Sequence, residues 1–395
     1  MIGPVHVSSS PSDLRQELFE RIDGIVAVLA EDVATGDELR RLPDTTLVAM
    51  RNAGLLKLKV PSELGGFEAE PALQFEVFER VATTNACAAW CLFIHADTVA
   101  ALCARLGDAG LAQVMVDGDV PVVCGGGGLR PGKLRAVDGG YRLSGKFRYG
   151  SGMHGASWVM LTGYLAGANG SAGGEVRVCA VRRADVDVAD TWHVLGMRGT
   201  GSNDFSIDDA FVPEELTYRA ASAPLRGGRM FRTGVVGYLG YTVPPVALGI
   251  ARRVLDELVA LAPTRMRGYT RPQVLASRST FQSFLGEADV RLKAARALML
   301  ANGFELMEHV EQGGTNLRAV EAEVRAAGAL TVRTASDVVA DVIRFAGGDA
   351  LWQGGVFERA ARDLTVVASH LLANESAYEN HAQFLLGLPD ADPMA

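Results

Sequence analysis

Leu195-Gly196-Met197-Arg198-Gly199-Thr200-Gly201-Ser202-Asn203-Asp204 is the stretch of this 395-residue chain on which the reading of its fold turns. It packs three glycines, an arginine and several small hydroxyl and amide side chains into one turn. Glycine permits backbone conformations closed to other residues and lets a backbone approach a ligand. The hydroxyls and amides offer neutral hydrogen bonds to a polar molecule. Phe205-Ser206-Ile207-Asp208-Asp209 then alternates like a half-buried strand, and Phe211-Val212-Pro213-Glu214 ends it at a proline. An isolated turn of this kind would be an ordinary hairpin; its length and what surrounds it set it apart.

Working outward, the chain changes character twice. From about Pro11 to Gly118 the apolar spacing is helical. Ser12-Asp13 suit a cap for a helix carrying Leu14, Leu18, Ile22 and Leu29. Further helices are expected over Asp37 to Ala53, from Pro71, and after Thr84-Asn85, where Trp90, Cys91, Phe93, Ile94, Val99 and Leu102 follow. Between Val120 and Pro213 short β-branched runs alternate with Asp-Gly-Gly, Ser-Gly and Asn-Gly turns, and Val137-Asp138-Gly139-Gly140-Tyr141 reads as a hairpin. After a Gly- and Arg-rich connector, long helices are expected over Val243 to Ala262, Pro272 to Gln312 and Thr315 to Ala346, with a shorter one over Val356 to Leu372. The division read from this is an N-terminal all-α domain (1–118), a middle β domain (119–220) and a C-terminal helical bundle (221–395), an α+β fold.

Composition narrows the function classes. A hydrophobic content of 48% with 21% charged residues suits a soluble globular protein, and the net charge of −8 argues against nucleic-acid partners. No basic start leads into an apolar leader, and no apolar run looks long enough to span a membrane. Cys87, Cys91, Cys103, Cys124 and Cys179 form no CxxC pair. They read as reduced core residues of a cytoplasmic protein, with no metal site.

The helical–β–helical order, closed by the Leu-Gly-Met-Arg-Gly segment, resembles the acyl-CoA dehydrogenase superfamily over nearly the whole chain. Pro61-Ser62-Glu63-Leu64-Gly65-Gly66 resembles its Pro-x-x-x-Gly-Gly segment. Phe345-Ala346-Gly347-Gly348 is similar to its C-terminal Gly-Gly turn, and Arg362-Asp363 to its arginine–aspartate pair. The resemblance implies a β-barrel or sandwich middle domain, a C-terminal four-helix bundle and a homotetramer, and helices this long with apolar faces agree with burial between chains.

A dehydrogenase of this superfamily needs a carboxylate to take a proton beside the thioester. Counting from Asp363, the usual glutamate position falls on Leu371, with His370 beside it. The alternative position is empty too: Arg229 to Val254 holds no Asp or Glu. Glu375 is the nearest carboxylate and lies beyond the matched helix end.

Three segments resemble instead the flavin-dependent monooxygenases of the superfamily, the oxygenase halves of two-component systems. These are Phe147-Arg148-Tyr149-Gly150-Ser151-Gly152, Ile94-His95-Ala96, and His370 after Arg362-Asp363. That resemblance implies hydroxylation of an aromatic, polyketide-like or amino-sugar molecule with O2 through a C4a-hydroperoxyflavin. Reduced FMN would come from a separate NAD(P)H:flavin reductase, with FAD as the alternative cofactor. It also implies catalytic roles. Ser151 would meet flavin N5, His370 the oxygen, and His95 would act as base, since imidazole titrates near neutrality. Cofactor contacts would come from Cys124, Gly125, Tyr149, Ser151, Gly152, Arg198 and Thr200. Arg278, Phe281, Gly347 and Gly348 stand where the family reaches a neighbouring subunit's flavin. The branch often carries His-Ala-Asp-Trp where this chain has Gly155-Ala156-Ser157-Trp158, with His154 displaced. Two other readings stand beside it: an acyl-CoA dehydrogenase or nitroalkane-type oxidase, and a flavin-free scaffold.

Overall fold

A computed structural model describes residues 11–126, 130–166, 174–314 and 316–394. Six helices come first: α1 (Pro11–Asp23), α2 (Val26–Leu39), α3 (Asp44–Asn52), α4 (Pro71–Thr84), α5 (Ala86–Arg105) and α6 (Asp108–Val114). The expected helix over Asp37 to Ala53 is two helices. Arg40 takes a left-handed C-cap conformation and Pro43 disfavours helix in the residue before it, so the chain turns between them. Asn85 caps α5, its Oδ1 accepting from the Ala88 N–H at 3.0 Å. At 20 residues α5 is long and apolar enough to cross a membrane, which the sequence reading had excluded for every segment, but most of it is buried against protein.

Eight strands follow: β1 (Val123–Gly126), β2 (Gly132–Val137), β3 (Gly140–Gly150), β4 (Trp158–Leu165), β5 (Glu175–Arg182), β6 (Asp187–Val188), β7 (Asn203–Pro213) and β8 (Thr217–Arg219). They form one mixed sheet ordered β6-β7-β3-β2-β4-β5-β8, with β1 parallel to β4. The Asp138-Gly139 turn joins β2 to β3 as expected, Val137 facing Gly140. The Asn169-Gly170 turn and Gly127-Gly128 lie outside the described residues.

The chain then returns to helix: α7 (Val235–Leu239), α8 (Val243–Leu261), α9 (Ser279–Glu311), α10 (Leu317–Ala346), α11 (Val356–Ala368) and α12 (Ser376–Leu385). The long helix expected from Pro272 begins seven residues later. Strands β9 (Met266–Arg267) and β10 (Gln273–Val274) make a small hairpin first, turning at Gly268, whose φ of +105° suits glycine. The helix expected through Leu372 stops at Ala368 and gives way to a short 3-10 turn, Leu371–Ala373. Apolar side chains of all three regions share one continuous core.

Candidate active site

The site begins with a defect in a strand. Between the pairs Phe147–Phe205 and Gly150–Asn203, β3 carries one residue more than β7. Such a bulge re-aims the side chains beyond it. Tyr149 absorbs the extra residue with φ of +64°, a conformation that costs a non-glycine residue of order 1–2 kcal/mol. Tyr149 itself turns outward, 58% exposed, edge-on to Trp192. Ser151, just past the bulge, turns inward and is buried.

Ser151 joins a chain of hydroxyls. Trp90 Nε1 donates to Ser151 Oγ at 3.2 Å, Ser151 Oγ lies 2.7 Å from Ser202 Oγ, and Ser202 Oγ lies 2.6 Å from Thr200 Oγ1. Thr200 Oγ1 donates to the Met197 carbonyl at 2.8 Å. The Gly-rich turn that decided the fold therefore supplies half of this network. Cys124, buried in β1, gives its thiol to the Ser151 carbonyl at 3.2 Å; burial raises its pKa to about 12, so it is a packing group here. Gly125 presses on α5, where an added Cβ would stand 2.7 Å from Thr98 Cγ2.

His95 lies on the α5 face, with Cys91 one turn before it, that packs on the Gly152 and Thr200 backbones. Its Nδ1 is 2.7 Å from the Val123 carbonyl, and a carbonyl only accepts, so Nδ1 carries the proton. Nε2 is then a bare acceptor, fully buried and without a hydrogen-bond partner. Burial lowers the imidazole pKa to about 4. Gly152, with φ of +72°, lies directly against the ring: a Cβ there would sit 2.6 Å from Nε2. A small pocket of about 10 Å³ lies against His95, Gly152, Thr200 and the exposed His154. His154 accepts from Asn203 Nδ2 at 3.1 Å and, among the described residues, has no hydrogen bond to the hydroxyl chain.

His370 arrives from the opposite side, at the end of α11. Its ring meets the Trp90 ring edge-on, centroids 5.5 Å apart. Its Nδ1 accepts from the Leu372 N–H at 3.3 Å, which leaves the proton on Nε2 as a donor. Burial holds it neutral, lowering its pKa to about 4. The two histidines thus have opposite polarity: His95 presents an acceptor and His370 a donor. Trp90 connects the groups, touching Ser151 with its N–H and His370 with its ring. Leu371 fills the dehydrogenase glutamate's place, and Glu375 is exposed.

Arg362 and Asp363 fasten α11 to the Gly-rich turn. Arg362 pairs with Asp37 and Glu358, and Asp363 Oδ1 accepts from the Met197 N–H at 2.5 Å. Burial raises the Asp363 pKa to about 6 against the pull of that N–H and of Arg362. Arg198, half-buried on the same turn, has no ion pair or side-chain hydrogen bond among the described residues. A cavity of about 180 Å³ opens nearby among Asp37, Cys87, Gly199, Arg359 and Asp363, and none of His95, Ser151 or His370 lines it.

The remaining candidates gather elsewhere. Phe281 is buried at the start of α9 in a ring cluster with Phe284 and Phe345, so it is core within this chain. Arg278 beside it is exposed. Gly347 ends α10 with Arg267 donating to the Phe345 and Ala346 carbonyls, and Gly348 has open space around it. No hydrogen bond, ion pair or ring contact joins this group to Ser151 among the described residues. Sequence reading missed Ser202 as a site residue and took Trp90 for core.

The arrangement fits a reduced flavin: neutral hydroxyls, glycine backbone at close approach, an orphaned buried imidazole nitrogen and an unpaired guanidinium. Known proteins agree. Residues 241–375 match the family model described as acyl-CoA dehydrogenase, C-terminal domain. The chain is 30% identical to a pigment production hydroxylase of a Rhodococcus species over 96% of this chain and 99% of that one. It is 27% identical to HsaA of Rhodococcus jostii, the oxygenase subunit of a flavin-dependent monooxygenase, over 95% and 100% of the two chains. The structure of XiaF from Streptomyces sp., in complex with FADH2 and glycerol, superposes with a TM-score of 0.88 at 25% identity over 98% of each chain.

Proposed function

The chain belongs to the flavin-dependent monooxygenase branch of the acyl-CoA dehydrogenase superfamily, and from that premise we propose how it works as an oxygenase component. Its reduced flavin comes from a separate NAD(P)H:flavin reductase, and its substrate is a small aromatic, polyketide-like or amino-sugar molecule. Reduced FMN is the proposed form, with reduced FAD the alternative that a titration of each would rank. Once bound, reduced flavin supplies the electrons that activate O2 for transfer of one oxygen atom.

The observation that carries this reading is the neutral cluster of Ser151, Trp90 and His370, beside a Leu371 that stands where a dehydrogenase needs a carboxylate. Ser151 and Gly152 would hold the ring edge of the cofactor by hydroxyl and backbone contacts, with Thr200 behind them accepting the Gly152 N–H at 2.9 Å, and Arg198 would give it a positive neighbour. Trp90 and the Gly152 backbone exclude water. His370, with its proton on Nε2, would offer a donor to the oxygen chemistry that the flavin supplies. His95, whose bare Nε2 is the acceptor of the site, would take the substrate proton, a general-base contribution of roughly 10²–10⁴-fold. Burial lowers its pKa to about 4, where the sequence reading expects an imidazole titrating near neutrality.

Arg278, Gly347 and Gly348 lie apart from Ser151 in one chain, and in the proposed cytoplasmic homotetramer they serve a neighbouring subunit's cofactor. Exposed Val290, Phe304 and Trp352 on or near the long helices support burial between chains. Light scattering should give four chains; a monomer would remove the shared site. Anaerobic titration with reduced FMN should show tight binding, and acyl-CoA added to flavin-loaded protein should leave the oxidised-flavin spectrum unbleached. Bleaching would favour a dehydrogenase.

A further inference from the structure

The hydroxyl chain has a direction, and it is fixed at the carbonyl end. At one end the Met197 carbonyl can only accept, so the 2.8 Å contact with Thr200 Oγ1 must contain the threonine proton. Thr200 then has no proton left for Ser202, so across their 2.6 Å contact Ser202 donates. Ser202 in turn has none left for Ser151, and across 2.7 Å Ser151 donates. At the other end the indole of Trp90 can only donate, which makes Ser151 Oγ an acceptor there at 3.2 Å. The carbonyl end dictates the polarity, and the indole end is compatible with it. The reversed chain would set two lone pairs against each other at the Met197 carbonyl.

All three hydroxyls are nearly sealed from water, with relative exposures of 4% for Ser151, 3% for Ser202 and 1% for Thr200. Water therefore cannot easily relax their orientation. The carbonyl that sets it is immobilised in turn, since Met197 also gives its N–H to Asp363 at 2.5 Å and takes the Trp192 indole N–H at 3.2 Å. Ser151 is left with its proton committed and one lone pair to spare. It can receive an N–H; it cannot give its own proton to a bare nitrogen.

We propose that Thr200 and Ser202 are positioning residues which polarise Ser151 as a hydrogen-bond acceptor and thereby make the site select reduced over oxidised flavin. The two forms differ by two electrons and, at N5, by a hydrogen: the reduced ring carries N5–H there and the oxidised ring a bare acceptor. The inference rests on the flavin reading above and adds the origin of its redox preference, acting through residues that need not touch the cofactor. An oxygenase fed by a separate reductase profits from this, because spent flavin leaves and reduced flavin replaces it.

The test is equilibrium binding, independent of turnover. Dissociation constants for reduced FMN (anaerobic) and oxidised FMN are measured for the wild type, Ser202→Ala, Thr200→Val and Ser151→Ala. One hydrogen bond gained by the wrong redox form is worth about tenfold. Ser202→Ala frees the Ser151 proton, so the reduced-over-oxidised preference should fall about tenfold, equivalent to ~30 mV in the two-electron potential of bound flavin. Thr200→Val should shift it in the same direction and stands in if Ser202→Ala fails to fold. A wild-type ratio in both variants overturns the relay, and so does an unchanged ratio in Ser151→Ala. Failure of the wild type to bind either form instead sinks the flavin reading and the inference with it.

Discussion

Replacing Gly152 by alanine should be far more damaging than replacing Gly65, although the two glycines share almost the same backbone. Gly65 has φ of +76° and nothing within 4 Å of an added Cβ. Gly152 has φ of +72°, and its Cβ would meet Cε1 and Nε2 of His95 at 2.6 Å and Cys91 Cβ at 3.7 Å. Both substitutions force alanine into the left-handed region, at roughly 1–2 kcal/mol. Only Gly152→Ala adds overpacking, roughly 1–3 kcal/mol. The ring it strikes cannot swing away cheaply, because His95 is fully buried and tied to the Val123 carbonyl. Moving it strands the buried Nδ1–H donor of the ring, since the Val123 carbonyl keeps the Thr98 hydroxyl at 2.7 Å; that costs about 1–3 kcal/mol in place of the steric term or beside it. Gly152→Ala should therefore lose about 2–5 kcal/mol in denaturant unfolding, and Gly65→Ala about 1–2 kcal/mol. Adding His95→Ala should recover the steric part, so that the double-mutant cycle shows coupling of about 1–3 kcal/mol. Equal losses at the two glycines, or additivity with His95→Ala, would mean the imidazole does not lie against this backbone.

Other outcomes follow from the same geometry. His370→Ala should bind reduced flavin normally yet release more hydrogen peroxide per flavin consumed; unchanged coupling would remove His370 from oxygen chemistry. His95→Ala should cut product formation by roughly 10²–10⁴-fold while oxygen is still consumed. His95 has a folded pKa of about 4, below the ordinary 6.5, so its contribution to stability is present above pH 6.5 and lost as pH falls toward 4. Asp363 runs the other way: its folded pKa of about 6 lies above 3.8, so its contribution is present below pH 3.8 and lost as pH rises through 6. Unfolding curves between pH 4 and 7 should accordingly show His95→Gln flattening the loss in acid. Asp363→Asn, which keeps an acceptor for Met197, should steepen it.

What the sequence revealed and what it hid have separate physical causes. The alternation of helical and strand periods, and the Asn85 cap, are local signals, and they placed the three regions. The break at Pro43 was present in the sequence as a proline and was outweighed by the apolar spacing across it. The hairpin before α9 was hidden because Arg267 to Pro272 is polar and equally compatible with a helix start. Ser151 and His370 could be placed by their segments, but their meeting needs Trp90 from a third element, and its indole looked like one more apolar residue of α5. Ser202 was the harder case. In Thr200-Gly201-Ser202 the two hydroxyls stand two apart, which puts them on one side only if the backbone there is extended or turned as it is. Position along the chain says nothing of burial at Phe281; the packing of Phe284 and Phe345 against it makes it core.

The most direct test mixes the protein, loaded anaerobically with reduced FMN, with oxygenated buffer and follows the return of oxidised-flavin absorbance and the release of peroxide. A return much slower than for free reduced FMN, with peroxide appearing late, is expected if Ser151, Trp90 and His370 enclose the cofactor. Reoxidation at the rate of free flavin, with immediate peroxide, would contradict an oxygenase site in this cluster.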